Sequence, residues 1–130
     1  MTTKSRIALA KEFFEVFATR DPDAILSHMT PDPTWVFWGM PRHGTEGVLS
    51  IVKAASELYQ PNSMSRTYQG AYEDGDVAIL QSTIRAITFK GEDYENRYVM
   101  FVHFEDDKVS KVEEYLDTAY ANEKFSGWEG

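Results

Sequence analysis

The sequence contains no cysteine. That removes disulfide staples, thiol nucleophiles and thiolate-bound metals together. It also lacks positive charge: thirteen Lys and Arg stand against twenty-one Asp and Glu, for a net charge of −8, with no basic stripe. A polyanion would be repelled, so nucleic acid is excluded as a partner. No stretch approaches the ~18 apolar residues of a membrane-crossing helix, and no membrane partner is expected. The opening Met1-Thr2-Thr3-Lys4-Ser5-Arg6 enters an amphipathic pattern without the apolar core of a signal peptide. A soluble cytoplasmic protein is the expectation. Glycine-rich phosphate loops and a serine in a nucleophile-elbow context are missing too, which argues against nucleotide binding and acyl-enzyme hydrolysis. His28, His43 and His103 lie far apart. His103-Phe104-Glu105 offers two metal ligands from a strand but no third, so neither a metal nor another cofactor is expected.

What the chain does hold is apolar and aromatic material, at 42% and 14% of its 130 residues. That suffices for one core and one domain spanning residues 1–130. Residues 4–19 place Ile7, Ala10, Phe13, Phe14 and Phe17 at helical spacing. Asp21-Pro22 restarts a short second helix, and Thr30-Pro31-Asp32-Pro33 reads as a turn. Thr34 to Met40 is β-branched and aromatic, hence a strand, which Pro41-Arg42-His43-Gly44 breaks. Thr45 is the expected cap of a third helix carrying Val48, Ile51, Val52, Ala55 and Leu58, closed by Pro61-Asn62. Four strands follow near 64–72, 77–88, 94–105 and 109–117, and residues 118–125 suit a closing helix. The order α-α-β-α-β-β-β-β predicts an α+β fold with helices preceding a largely antiparallel sheet.

The strand near 94–105 is apolar on both sides, with Tyr98, Met100, Val102 and Phe104 facing one way and Val99 and Phe101 the other. A sheet with one wet face alternates instead. Helices cover one side, and a second copy of the chain is the simplest cover for the other, which predicts a homodimer through the sheet.

The candidate chemistry starts from Glu114. A three-residue loop at Asp106-Asp107-Lys108 pairs Glu105 with Val109 and sets Met100 opposite Glu114, Val102 opposite Val112 and Tyr98 opposite Leu116. Glu114 then faces inward among apolar neighbours, whereas a two-residue loop would flip every assignment. Burial raises the pKa of a carboxyl and makes it a proton carrier near neutrality. A glutamate at a solvated edge or in an ion pair is the plain alternative. Arg85, with Thr83 and Gln81, interrupts an apolar strand face; a tight turn at Lys90-Gly91 pairs Arg85 with Asn96 and Thr83 with Tyr98, toward the same pocket. An arginine there would hold Glu114 ionised. A polar patch facing solvent or a partner would leave the same pattern. Trp35 and Phe37, with Phe13, Phe14 and Phe17, serve as core or wall a cavity for a flat apolar ligand.

Phe13-Phe14-Glu15-Val16-Phe17, Arg20-Asp21-Pro22-Asp23-Ala24, Pro31-Asp32-Pro33-Thr34-Trp35, Gly44-Thr45-Glu46-Gly47, Gly91-Glu92-Asp93-Tyr94-Glu95-Asn96-Arg97-Tyr98 and Glu114-Tyr115-Leu116-Asp117-Thr118 together resemble the SnoaL-like branch of the nuclear transport factor 2-like superfamily. The resemblance implies a cone of three helices on a bent sheet, with a ligand pocket in its mouth. Relatives of this kind include ketosteroid isomerases, polyketide cyclases, dehydratases, epoxide hydrolases and silent binders. The isomerases' aspartate base falls on Phe37 and their tyrosine donor on Phe13, which argues against that mechanism. Epoxide hydrolases match one acid at Glu114 and an arginine at Arg85. Thr83 or Ile87 leaves them no second acid, and Phe37 and Gly39 replace their water-holding pair. Polyketide cyclases rely on a single pocket acid, which Glu114 supplies.

The combined expectation is a cofactor-free enzyme of the cyclase, isomerase or dehydratase type acting on an apolar polyketide-, terpenoid- or steroid-like substrate. Glu114 would be the acid/base and Arg85 its electrostatic partner. Asn96, Tyr98 and Thr83 would orient the substrate, and Trp35, Phe37, Met100 and Leu116 would form the walls. A non-catalytic ligand-binding or dimerisation module is the rival.

Overall fold

Ser5 opens the first helix, α1 (Arg6–Ala18), its hydroxyl accepting from the Ala8 amide at 3.0 Å and satisfying one orphan donor of the helix start. This computed structural model describes residues 4–37 and 39–130; Met1–Thr3, and Trp38 of the expected strand, lie outside them. Asp21 caps α2 (Pro22–Ser27), where Pro22 occupies the first turn as expected. Between the two helices Arg20 takes a left-handed conformation (φ 61). Its guanidinium donates to the Phe17 carbonyl at 2.9 Å and lies 5.1 Å from the Phe17 ring centroid.

The remaining elements are β1 (Met29–Phe37), β2 (Met40–His43), α3 (Gly44–Leu58), β3 (Ser65–Asp74), β4 (Val77–Ile87), β5 (Asp93–Glu105), β6 (Lys108–Leu116) and α4 (Thr118–Lys124). They form one curved sheet in the order β2-β1-β6-β5-β4-β3, with only β1 and β6 parallel among the described residues. The α+β prediction holds. Two local expectations do not. Thr30-Pro31-Asp32-Pro33 is not a turn but part of β1, where the β1–β6 register shifts between Met29 and Thr34. No ladder is asked of the prolines there. Pro41-Arg42-His43 does not end the sheet but forms β2, an edge strand that tolerates a proline.

Helix α3 begins at Gly44 (φ 74) rather than behind a Thr45 cap, and His43, at the N-cap, makes no side-chain capping bond. A Cβ at Gly47 would lie 2.6 Å from the Arg42 carbonyl carbon, so glycine is what lets α3 settle against β2. The helix ends at Leu58, before Pro61, because Tyr59 turns extended and bridges to Thr88.

Two hairpins decide which side chains face inward. The β5–β6 turn has two residues, Asp106 and Asp107, with Glu105 opposite Lys108 instead of Val109. That alone would flip the strand. A bulge at Ser110, whose hydroxyl donates to the His103 carbonyl at 3.2 Å, restores the register and puts Met100 opposite Glu114 after all. The β4–β5 hairpin moves the other way. The Thr88 hydroxyl accepts from the amides of Lys90 and Glu92, and the Thr88 amide donates to the Glu92 carbonyl at 2.8 Å. This opens a wider loop than the expected tight turn and pairs Ile84 with Asn96 and Arg85 with Glu95. The one-residue slip turns Arg85 and Thr83 to the outer face.

Inward residues of β1, β4, β5 and β6 pack with Phe13, Phe14 and Phe17 of α1 and Val48, Ile51 and Val52 of α3 in one core. The outer face carries a row of Tyr72, Ile79, Phe101 and Glu113 across β3 to β6. Tyr72 and Tyr115 there are 58% and 47% exposed.

Candidate active site

The helices and the concave sheet face enclose a cavity of about 530 Å³, within the usual range for small-molecule sites. Phe14 and Phe17 of α1, Trp35 and Phe37 of β1 and Ile51, Ala55 and Leu58 of α3 supply its apolar wall. The sheet contributes Arg66, Ile84, Tyr98, Met100, Glu114 and Leu116. Phe17 and Trp35 pack with ring centroids 5.1 Å apart, so the aromatic wall braces itself. Residues 125–128 complete the lining, held there by Phe125 stacked on Tyr94 at 4.9 Å and by the Trp128 indole donating to Glu57 at 3.1 Å.

Glu114 faces this cavity. Its Oε1 accepts a hydrogen bond from Trp35 Nε1 at 2.9 Å. Burial pushes its pKa up to about 7, while the Trp35 bond and the Arg66 guanidinium pull the other way and only partly succeed. Near neutrality the carboxyl is thus divided between acid and base. It also borders a second, open recess of about 360 Å³ beside Gly39, Thr118 and Asn122, a short way out for a proton.

A cluster of phenols stands next to it on the cavity floor. The hydroxyls of Tyr94 and Tyr98 are 2.6 Å apart, those of Tyr98 and Tyr59 3.4 Å, and Asn96 Nδ2 donates to Tyr94 at 3.0 Å and to the Asp117 carbonyl at 3.0 Å. Burial raises the pKa of all three tyrosines, so they stay protonated. Hydrogen bonds from Asn96 to Tyr94, between Tyr94 and Tyr98 and between Tyr98 and Tyr59 link these groups, and Tyr59 and Tyr94 also interact directly. Tyr98 and Tyr59 line the cavity and Tyr94 does not, so theirs are the phenol hydroxyls that a ligand oxygen can meet.

The structure brings Trp35, Phe37, Tyr98, Met100, Glu114 and Leu116 together around one space. Arg85 and Thr83 are corrections. Arg85 is an exposed outer-face residue whose Nε donates to Glu95 at 2.6 Å. Thr83 donates to Gln69 at 3.1 Å on the same side of the sheet. Asn96 is buried behind the cavity, not on its wall, and reaches it only through Tyr94. Asp117, just past the β6 strand, caps α4 by accepting from the Tyr120 amide at 3.0 Å. Sequence reasoning missed Arg66, Tyr59 and the closing residues 125–128. Arg66 had a signal: it alternates with Tyr68 on one face of β3 and with Met64 just ahead of that strand.

Residues 10–127 match the SnoaL-like domain family. The chain belongs to that family. No curated relative matches the sequence of this SnoaL-like domain. Solved structures agree on the fold. An NTF2-like protein of unknown function from Burkholderia pseudomallei superposes with a TM-score of 0.82 at 20% identity, over 96% of this chain and 100% of that one. TerC, co-crystallised with polyporic acid, gives 0.77 at 22%, over 94% and 98%. A candidate SnoaL-like polyketide cyclase from Jannaschia sp. gives 0.80 at 14%, over 99% and 100%. Identities this low carry the NTF2-like architecture and no activity. With Arg85 outside the cavity, the match to the epoxide hydrolases' arginine is lost as well.

Proposed function

We propose that this SnoaL-like domain is an enzyme of the cyclase, isomerase or dehydratase type, moving a proton on an apolar, oxygen-bearing substrate with Glu114 as acid/base. The single observation that carries the reading is a carboxyl whose pKa is pushed to about 7 inside an aromatic cavity open to a ligand. A substrate C–H beside a carbonyl would give its proton to the Glu114 carboxylate, and the C–H electron pair would move onto the carbonyl oxygen. The hydroxyl of Tyr98 or Tyr59 would donate a hydrogen bond to that oxyanion. Return of the proton to another atom completes an isomerisation; attack of the enolate carbon on a second carbonyl, whose oxygen then takes the proton back from Glu114, completes a cyclisation. Asn96 and Tyr94 act through Tyr98 as positioning residues, and Arg66 takes the electrostatic part first given to Arg85.

The same reading includes a homodimer through the outer sheet face, motivated by Phe101 and Tyr115, whose rings meet edge-on at 5.8 Å on that face. Hydrogen–deuterium exchange tests the chemistry without knowledge of the final reaction. Enolisable ketones built on naphthalene, tetralone and decalin frames, incubated in D2O, should gain α-deuterium in the presence of the protein and lose that gain in Glu114→Gln. Binding of these ketones with no exchange above background would sink the enzyme reading and leave a ligand-binding module.

A further inference from the structure

Arg66 is the cation nearest the Glu114 carboxyl in its effect, but it is not bonded to it. Among the described residues no carboxylate forms an ion pair with it, and Glu114 is near enough only to influence it through space. Its side chain is half-buried between β3 and α1, with its carbon Cζ 4.6 Å from the Phe14 ring centroid and its Nη1 donating to the buried Ser82 hydroxyl at 2.9 Å. Those two contacts fix the plane of the guanidinium. They use one N–H, and Arg66 lines the cavity, where its remaining donors can meet a ligand. An arginine stays charged at any physiological pH, and removing it from water without a partner is costly.

The wider charge pattern points the same way. The protein carries −8 overall, yet the charged side chains lining this cavity are Arg42, Lys53 and Arg66 against Glu114 alone. Lys53 is neutralised by Glu57 at 3.1 Å, and Arg42 donates to Ser50 at 3.2 Å and forms no ion pair among the described residues. Below neutrality Glu114 is mostly protonated, so the interior becomes net positive within an acidic shell.

We infer that the cavity takes an anionic ligand, an aromatic or alicyclic acid whose carboxylate or equally acidic enol sits on the open side of Arg66 while its apolar body lies among Phe14, Trp35 and Met100. Planar guanidinium matches planar carboxylate in a paired hydrogen bond that an ammonium could not reproduce. Ser82 and Phe14 pre-set the fork for it. This rests on the proposed small-molecule site but not on catalysis there.

The test is calorimetric titration at pH 6 with biphenyl-4-carboxylate and biphenyl-4-methanol, which share a body and differ in charge. Wild type should bind the acid at least roughly tenfold more tightly than the alcohol, the scale of one charge-assisted pair. Arg66→Met keeps the length and apolar contact and should lose that preference while holding the alcohol unchanged. Arg66→Lys, which retains a charge without the fork, should keep only part of it. Glu114→Gln, which abolishes the proposed proton transfer, should bind the acid as tightly as wild type or better, so a failure of catalysis and a failure of this inference are separable. Equal affinity of acid and alcohol in wild type, no measurable binding of the acid, or a preference that survives in folded Arg66→Met would each overturn it.

Discussion

The indole N–H of Trp35 points at the Glu114 carboxyl across the parallel β1–β6 pair, 2.9 Å from Oε1. A donor aimed at a half-buried carboxyl stabilises its charged form, so this contact restrains a pKa that desolvation drives upward. Trp35→Phe keeps most of the wall and deletes the donor. The Glu114 pKa should rise further, by roughly 1 unit if the bond is worth the usual 1.5 kcal/mol or so of a charge-assisted contact. Carbon-13 NMR titration of the glutamate carboxyl reads this directly. A pKa that stays put or falls would show that the indole does not govern the carboxylate.

The same pKa has a consequence for folding. Glu114 binds its proton more tightly in the folded chain, at about 7, than in the unfolded chain, whose value is 4.5. Between those values the folded state holds more protons, so stability falls as pH rises from about 4.5 to 7, and the full penalty remains above that. Its upper bound is about 3 kcal/mol at 1.36 kcal/mol per unit. Glu114→Gln should therefore be more stable than wild type at pH 8, by roughly 1–3 kcal/mol, and nearly equal at pH 4. The shifted pKa values of Glu12, Glu57 and Glu113 are common to both proteins and cancel in the difference. Urea titrations of the pair at the two pH values measure it, and a stability gap independent of pH would contradict the linkage.

Arg85 offers the opposite expectation. Its ion pair with Glu95 is solvent-exposed, with side chains 57% and 61% accessible, and such pairs contribute ~1 kcal/mol or less. Arg85→Ala should leave ligand binding and any turnover unchanged and alter stability by no more than about 1 kcal/mol. A strong loss of binding in this variant would return the residue to the site from which the β4–β5 register removes it.

The contrast between Arg85 and Glu114 shows what the sequence makes legible. Alternation assigns a residue's face only once a hairpin register is known, and register depends on loop conformation. At β5–β6 the assumed loop was one residue too long, but the Ser110 bulge cancelled the error and Glu114 still faces inward. At β4–β5 the Thr88 hydroxyl widened the loop, no bulge compensated, and Arg85 went outside. Helices α1 and α3 and strands β4 and β5 were readable because their apolar periodicity is long and regular. β2 was not, because an edge strand of Met-Pro-Arg-His carries turn-like residues and buries none of them. Arg66 was overlooked because it carries a charge on a strand face whose cover, α1, lies far away in the chain.

The outer face gives a prediction about assembly. Phe101 and Tyr115 sit on the outer sheet face, opposite the side packed by α1 and α3, beside His103, whose Nε2 lies 2.7 Å from Glu113. Light scattering on the purified protein should give a dimer mass. Phe101→Glu, which places a charge in the centre of the proposed contact, should shift the population to monomer while leaving the cavity intact. A monomeric wild type would refute the dimer through the sheet.

The phenol cluster yields the last prediction, which separates a ligand contact from a support. Tyr98→Phe removes the hydroxyl shared by Tyr94 and Tyr59 and, with it, a donor for the developing oxyanion. Loss of one such donor lowers turnover by roughly 100- to 1000-fold. Asn96→Ala leaves Tyr98 in place but frees Tyr94 from its fixed donor. Its effect should be smaller, falling on kcat more than on KM, because the cavity wall that meets the ligand is unchanged. The pH at half-maximal exchange should stay near that of wild type in both variants, since Glu114 retains Trp35 and Arg66. Exchange kinetics across pH supply all of these values. If Asn96→Ala costs as much as Tyr98→Phe with KM rising in step, the amide serves the fold of the floor and not the alignment of the donor.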